Sequence, residues 1–132
     1  MENLYTDRFD SFCKSLDSLK EARMRDRSDS FVMSGTVQKF SLTFDLAWKL
    51  MKDILVKKYK IIDFAIGSPS EVLKKSYENN LIDDDIWMEM LKNRNNLIHD
   101  YNEVLTENLI DIIIDSYINE FEKLSDKIKT LL

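Results

Sequence analysis

Glycine and proline are scarce in this chain, with two glycines and one proline among 132 residues. β-Sandwiches and barrels need many tight turns, and those turns depend on residues that tolerate unusual backbone angles. So few turn residues favour long helices joined by few loops. The hydrophobic fraction of 44% and the charged fraction of 33% are typical of a folded domain rather than a disordered chain. We therefore expect a single all-α domain spanning residues 1–132.

Cysteine and long hydrophobic runs are lacking as well. Cys13 is the single cysteine, so no internal disulfide can form, and a reducing, cytoplasmic location is the simplest expectation. No apolar run approaches the roughly 20 residues that a membrane-spanning helix requires. The first ten residues lack the basic and then apolar pattern of a secretory signal. We therefore expect no association with a membrane.

Positive charge is in deficit, because the formal net charge is -5 at pH 7. Proteins that bind nucleic acid through broad electrostatic contact are usually basic. The charge argues against such a surface, although it leaves room for a small local phosphate site.

Helical periodicity is what the sequence does offer. Apolar residues recur at spacings of three and four through five segments. The predicted helices are residues 3–24, 33–59 and 69–78, one that opens at residues 83–85, and one from residue 106 to the C-terminus. Four of them are long enough to form an up-down four-helix bundle, with residues 69–78 as an additional short helix.

Two apolar features bear on packing and assembly. Ile110, Ile112 and Ile114 widen the apolar face of the last helix beyond what one bundle core needs. We interpret this excess as the interface of a homodimer. Trp48 lies on the apolar stripe of the second helix, so we predict a core residue rather than a surface on which a ligand stacks.

A run of three carboxylates, Asp83 to Asp85, could suggest a divalent metal. Adjacent side chains point in different directions and no histidine is near, so we predict that these residues cap the fourth helix instead. No metal site and no cofactor are expected.

The stretch RNNLIHDY, residues 94–101, contains the only histidine. Arg94 presents a planar set of donors that suits phosphate. His99 titrates near neutral pH and can act as a general acid or base. Asn95 can orient either a phosphate or the imidazole. These groups are what metal-independent RNA cleavage requires, so Arg94, Asn95 and His99 are the candidate catalytic residues. A lone histidine near a helix end is also compatible with a purely structural role.

Spacing limits how these groups meet. Five residues along a continuous helix separate Arg94 and His99 by about 140° of rotation. The two side chains converge only if the helix breaks near Asn95 and Asn96, or if a second subunit completes the site.

The sequence resembles a known family. RNNLIHDYN matches the R-N-x-x-x-H-x-Y motif of HEPN-domain proteins. The chain is more closely similar to the nucleotidyltransferase substrate-binding subfamily, on three blocks in order: KFSLTFDLAWKLMKD, GSPSEVLKKSYENNLIDDDIWMEML and RNNLIHDYNE. The resemblance covers roughly residues 37–125.

The resemblance implies a HEPN-like, homodimeric bundle that associates with a minimal nucleotidyltransferase encoded nearby. In related toxin–antitoxin pairs, the HEPN protein is a metal-independent ribonuclease with its site at the dimer cleft. By that likeness Arg94, Asn95 and His99 are catalytic. The same likeness implies that Tyr101 is the tyrosine to which the nucleotidyltransferase adds AMP, which would block the cleft.

Alternatives remain at this point. The chain is either such a toxin, or a non-catalytic nucleotide- or substrate-binding and regulatory module of a two-component nucleotidyltransferase. A purely structural helical dimer without a site is the third possibility. Whether the protein is an enzyme, and whether it binds RNA or a nucleotide, depends on this choice.

Overall fold

The computed structural model describes the backbone of residues 4–61, 67–99 and 103–132, and the side chains of residues 5–61, 67–97 and 107–132. Every regular element in those ranges is helical, which confirms the predicted all-α class. The helices are α1 (Leu4–Lys20), followed by a 3-10 turn (Glu21–Met24), α2 (Ser30–Lys57), α3 (Pro69–Glu78), α4 (Ile86–His99), α5 (Glu103–Ile112) and α6 (Ile118–Lys129). A π-helical turn, Ile113–Tyr117, joins α5 to α6. None of the described helices is long and apolar enough to cross a membrane.

The start of α2 is determined by a side-chain cap. The Asp29 carboxylate accepts hydrogen bonds from the backbone N–H groups of Phe31, at 2.8 Å, and Val32, at 3.1 Å. A carboxylate in this position satisfies amide groups that have no partner within the helix. The helix therefore begins at Ser30, three residues before the predicted start at Met33.

Side-chain caps also open the next two helices. The Ser68 hydroxyl accepts a hydrogen bond from the N–H of Glu71 at 3.4 Å and opens α3. The Asp84 carboxylate accepts a hydrogen bond from the N–H of Ile86 at 2.9 Å and opens α4. The prediction that the acidic run caps the fourth helix is confirmed.

The core of the bundle is built around α2, which contacts α1, α3, α4 and α5. Large aromatic side chains from α1, α2, α4, the π-helical turn and α6 meet there with at most 1% of their surface exposed: Phe12, Phe40, Phe44, Trp87, Tyr117 and Phe121. The ring centroids of Trp87 and Phe121 are 5.5 Å apart in an edge-to-face arrangement, and those of Phe40 and Tyr117 are 5.4 Å apart and stacked. Such contacts stabilise a core beyond the burial of apolar area alone.

The apolar excess at the start of the last helix has a different explanation from the predicted one. Ile110 and Ile114 are 1% and 4% exposed, and only Ile112, at 37%, reaches the surface. The two buried isoleucines belong to a second small core formed with the 3-10 turn and the first half of α2, through Ala22, Met33 and Val37. Interpreting Ile110 and Ile114 as part of a dimer interface was therefore wrong, because the chain covers these side chains itself.

A polar contact fastens α4 to the π-helical turn. The amide of Asn93 donates a hydrogen bond to the Tyr117 hydroxyl at 2.7 Å, and that hydroxyl donates to the Glu89 carboxylate at 2.6 Å. Burial raises the pKa of Tyr117, and so does the hydrogen bond to Glu89. The Tyr117 hydroxyl therefore stays protonated through the alkaline range in the folded protein.

We expect Tyr117→Phe to lower the free energy of unfolding by about 1–2 kcal/mol at pH 7, because Asn93 and Glu89 lose their shared partner. The folded-state pKa of Tyr117 is raised, so its contribution is complete below the unfolded pKa of about 10 and declines above it. Wild-type stability should therefore fall more steeply than that of Tyr117→Phe as the pH rises past about 10. Urea unfolding across the alkaline range measures both effects.

The matched control is Tyr77→Phe, because that tyrosine is 54% exposed. It should keep the wild-type alkaline slope and stay within about 0.5 kcal/mol at pH 7. Identical alkaline slopes for wild type and Tyr117→Phe would contradict the structural role of the hydroxyl.

Candidate functional site

The arginine of the RNNLIHDY stretch connects α4 to α2. Arg94 Nη2 donates a hydrogen bond to Asp45 Oδ1 at 2.6 Å, and Nη1 donates to Asn95 Oδ1 at 3.1 Å. The side chains of Arg94 and Asp45 are 20% and 30% exposed, so the ion pair is only partly hydrated. The guanidinium is therefore held in one orientation at the surface, with two oxygen partners.

Asp45 is the residue that sequence reasoning missed. Its Oδ1 also accepts a hydrogen bond from the Trp48 indole N–H at 3.4 Å, so one oxygen joins Arg94 to Trp48. The two partners of the ion pair are 49 positions apart along the chain, and no local spacing indicates the contact. The sequence did contain one indication of such a partner. Arg94 falls on the same helical face as Trp87 and Leu91, and a cation on an apolar face requires a carboxylate.

The helix that carries the motif is continuous. α4 runs from Ile86 to His99 without a break at Asn95 or Asn96. The backbone therefore places Arg94 and His99 about 140° apart around the helix axis. Of the two predicted ways for these side chains to converge, a break in the helix is excluded, and a second subunit is left.

The structure does not place every predicted site residue. Arg94 and Asn95 are in direct contact, and Asn95 is exposed. The backbone of His99 forms the last residue of α4, whereas its side chain and the whole of Tyr101 lie outside the described residues.

Trp48 is only partly the core residue that we predicted. One part of its side chain packs against the main core, but the residue is half-buried, and its indole N–H faces Asp45. The Lys49 ammonium lies 5.9 Å from the centre of the ring. The indole therefore lies at the protein surface beside the Arg94–Asp45 pair.

Other reactive groups are less suited to chemistry. Burial raises the pKa of the Cys13 thiol, and its sulfur lies 3.8 Å from the Ser125 hydroxyl. A thiol in that setting is a poor nucleophile, because the reactive form is the thiolate. Among the side chains that the structure describes, no three histidine, cysteine, aspartate or glutamate residues are grouped to hold a metal ion.

These features define a class of protein: a small all-α helical bundle with an arginine–carboxylate pair at the surface of the helix that carries its single histidine. The chain belongs to the family described as nucleotidyltransferase substrate binding protein like, whose model matches residues 7–130. The match confirms the resemblance seen in the sequence, and a HEPN-like bundle is consistent with it. The family description links the chain to a nucleotidyltransferase. No curated protein matches the chain.

Proposed function

We propose that this protein is the partner subunit of a minimal nucleotidyltransferase and the toxin of that pair. Two copies of the chain form a cleft in which RNA is cleaved without a metal ion. The family match supports the association with a nucleotidyltransferase. The intact set of Arg94, Asn95 and His99 supports the cleavage chemistry.

The observation that carries the proposal is the combination of an oriented Arg94 with an unbroken α4. The contact with Asp45 at 2.6 Å holds the guanidinium in place before substrate arrives, which is how electrostatic stabilisation of a transition state works best. Since α4 is continuous to His99, the backbone of one chain places these two positions about 140° apart around the helix axis. A second copy completes the set.

The proposed reaction is an internal transfer at phosphorus. The imidazole of His99 takes the proton of a ribose 2′-hydroxyl, and the 2′-oxygen forms a bond to the adjacent phosphorus. The bond between phosphorus and the 5′-oxygen breaks, a water molecule supplies the proton to that oxygen, and the His99 imidazolium releases its proton to the solvent. Arg94 stabilises the charge that develops on the phosphoryl oxygens. The products are a 2′,3′-cyclic phosphate and a 5′-hydroxyl.

The partner regulates this site through Tyr101 in our proposal. The phenol oxygen of Tyr101 attacks the α-phosphorus of ATP on the nucleotidyltransferase, and pyrophosphate leaves. The attached AMP brings bulk and negative charge beside His99, which repels the phosphates of RNA. The nucleotidyltransferase thereby acts as the antitoxin.

The alternative function is a non-catalytic nucleotide- or substrate-binding module of the same two-component system. The short Arg94–Asp45 contact favours it in one respect, because the carboxylate already neutralises the cation that RNA cleavage would use. A phosphate that binds Arg94 must share the guanidinium with Asp45 or displace it. The cleavage experiment below separates the two functions.

We place the contact between the two copies on α2. Phe31 and Leu42, at 88% and 56%, are the large apolar side chains that α2 leaves exposed. Together with Gly35 and Asp45 they fall within an arc of about 80° around the helix, so the face that they form leads to the Arg94–Asp45 pair. A two-fold axis near this face brings the two arginines together.

Gly35 and the nearby charges indicate a second copy as the occupant. A β-carbon at Gly35 would meet nothing within 4 Å, so nothing described in the chain requires a glycine there. A glycine inside a helix costs about 1 kcal/mol relative to alanine, and it allows another helix to approach closely. The adjoining groove is lined by two carboxylates and two cations, Glu21, Asp29, Arg25 and Lys39. This balance avoids the repulsion expected between two chains of net charge -5.

We expect the purified protein to cleave RNA in EDTA and His99→Ala to abolish the cleavage. A mixture of Arg94→Ala and His99→Ala chains should recover about one quarter of the wild-type rate, because half of the random dimers are mixed and each keeps one complete site. Gel analysis of a labelled RNA measures both rates.

Asn108→Ala, at an exposed position of α5, is the matched control and should cleave at the wild-type rate. If wild type and His99→Ala leave RNA equally intact, the enzyme proposal is wrong and the non-catalytic module stands. If cleavage occurs but the mixture stays inactive, the site lies within one chain.

We expect incubation with the cognate nucleotidyltransferase and ATP to add the mass of AMP to the wild-type protein. Tyr101→Phe should show no gain, because it lacks the attacking oxygen, whereas Tyr77→Phe should match wild type. Intact-protein mass spectrometry provides the measurement. An equal gain in Tyr101→Phe would assign the modification to another residue.

We expect the double variant Phe31→Ser, Leu42→Ser to weaken self-association at least tenfold, a loss of about 1.4 kcal/mol or more at an apolar contact. Gly35→Ala should raise the free energy of unfolding of the monomer by about 0.5–1 kcal/mol, because alanine favours a helix more than glycine does. The same change should weaken the dimer. Sedimentation equilibrium and urea unfolding measure the two quantities. Tyr77→Ser, which alters an exposed apolar residue on α3, is the control and should leave the dimer unchanged. If the double variant and Gly35→Ala also leave the dimer unchanged, the α2 face is not the interface.

A further inference from the structure

A shallow cleft of about 330 Å³ lies at the surface beside the Arg94–Asp45 pair. It is lined by residues of α1 and α2: Arg8, Trp48, Lys49, Lys52 and Asp53. Three cations face one carboxylate there, in a chain whose net charge is -5. The local charge is therefore opposite to that of the whole protein, which suits an anionic ligand.

Trp48 supplies a flat apolar surface in this cleft. Its indole N–H donates to Asp45 at 3.4 Å, which orients the ring, and the residue is half-buried. Trp87 differs, because it is 1% exposed and packs within the aromatic core. Indole rings at a surface stack on nucleobases, with about 1–3 kcal/mol per base in single-stranded complexes.

Each of the three cations of the cleft has a different neighbour. Lys49 is exposed, with its ammonium 5.9 Å from the ring centre. Arg8 is anchored by Asp53 through a contact of 2.6 Å. The Lys52 side chain lies against Gly67, where a β-carbon would overlap with its ammonium group, and the φ of +67° also favours glycine there. The position of Lys52 thus depends on a glycine in the chain that follows α2.

We propose that this cleft is a nucleotide-binding subsite, in which the base stacks on Trp48 and the phosphate lies between Lys49 and Lys52. Asp45 contacts both Trp48 and Arg94, so the bound nucleotide is a direct neighbour of the phosphate that Arg94 would contact. The nucleotide belongs to an RNA strand that extends from the cleavage site, or it is a free mononucleotide. The choice of RNA rests on the proposed function, whereas the affinity of the cleft for a nucleotide does not.

The test is a fluorescence titration of the full-length protein with AMP and with a 2′-O-methyl RNA trinucleotide. The trinucleotide has no 2′-hydroxyl and cannot be cleaved by the proposed reaction, so binding is measured separately from activity. We expect tryptophan emission to fall on binding, because Trp48 contacts the base while Trp87 is enclosed in the core. Quenching by the trinucleotide alone assigns an RNA strand, and quenching by AMP at comparable affinity assigns a mononucleotide site.

The double variant Lys49→Gln, Lys52→Gln should bind at least tenfold more weakly. The slope of log affinity against log salt for the trinucleotide should fall by about 0.7, since the two lysines share one phosphate and each phosphate contact to a single strand contributes about 0.7. The matched control is Lys57→Gln, Lys58→Gln, which removes the same charge at exposed positions outside the cleft. This control should keep the wild-type slope.

Three outcomes would overturn the proposal: no quenching by either ligand, an equal loss of affinity in both double variants, or equal quenching by a polyglutamate peptide. Trp48→Phe, which keeps a smaller stacking surface, should retain measurable binding of a fluorescently labelled trinucleotide. Binding that persists while RNA cleavage is absent would uphold the subsite and reject the ribonuclease, so the two failures are distinguishable.

Discussion

The ion pair between Arg94 and Asp45 is the contact on which the candidate site depends. It joins α4, which carries the candidate residues of the RNNLIHDY stretch, to α2, which contacts most of the bundle. A partly buried guanidinium requires such a partner, because an uncompensated cation at 20% exposure would lose much of its hydration. The same carboxylate orients Trp48, so the arginine, the indole and the exposed face of α2 form one continuous surface.

The continuity of α4 has an equally large consequence. A helix that ended at Asn95 would have allowed Arg94 and His99 to turn toward one another, and a monomer could then have held a complete site. The observed helix reaches His99, and its other face is fixed by the Asn93–Tyr117 contact at 2.7 Å. Rotation of α4 as a rigid helix would leave the angle between Arg94 and His99 unchanged, and it would also break this contact and the ion pair. The geometry therefore supports a site shared between two chains.

Much of the fold follows from local rules. The caps of α3 and α4 and the apolar stripes were predictable, because each depends on residues within a few positions of one another. The Arg94–Asp45 pair was not, since its partners lie 49 positions apart. The burial of Ile110 and Ile114 also depended on distant residues, through a second core with Met33 and Val37. Periodicity shows which face of a helix is apolar, but it does not identify the neighbouring element that covers that face. The π-helical turn was likewise not indicated by any pattern of residues.

The acidic balance of the chain is compatible with an anionic ligand once charge is considered locally. At about 0.15 M salt, exposed charges more than about 8 Å apart are largely screened. A phosphate near Lys49 therefore responds mainly to the cations of the cleft, and the distant carboxylates that produce the net charge of -5 contribute little. If the proposed function holds, those carboxylates slow the approach of RNA from bulk solution. Binding at the proposed subsite would then depend on stacking at Trp48 and on oriented contacts at Arg94 more than on long-range attraction, which would favour short single-stranded segments over duplexes.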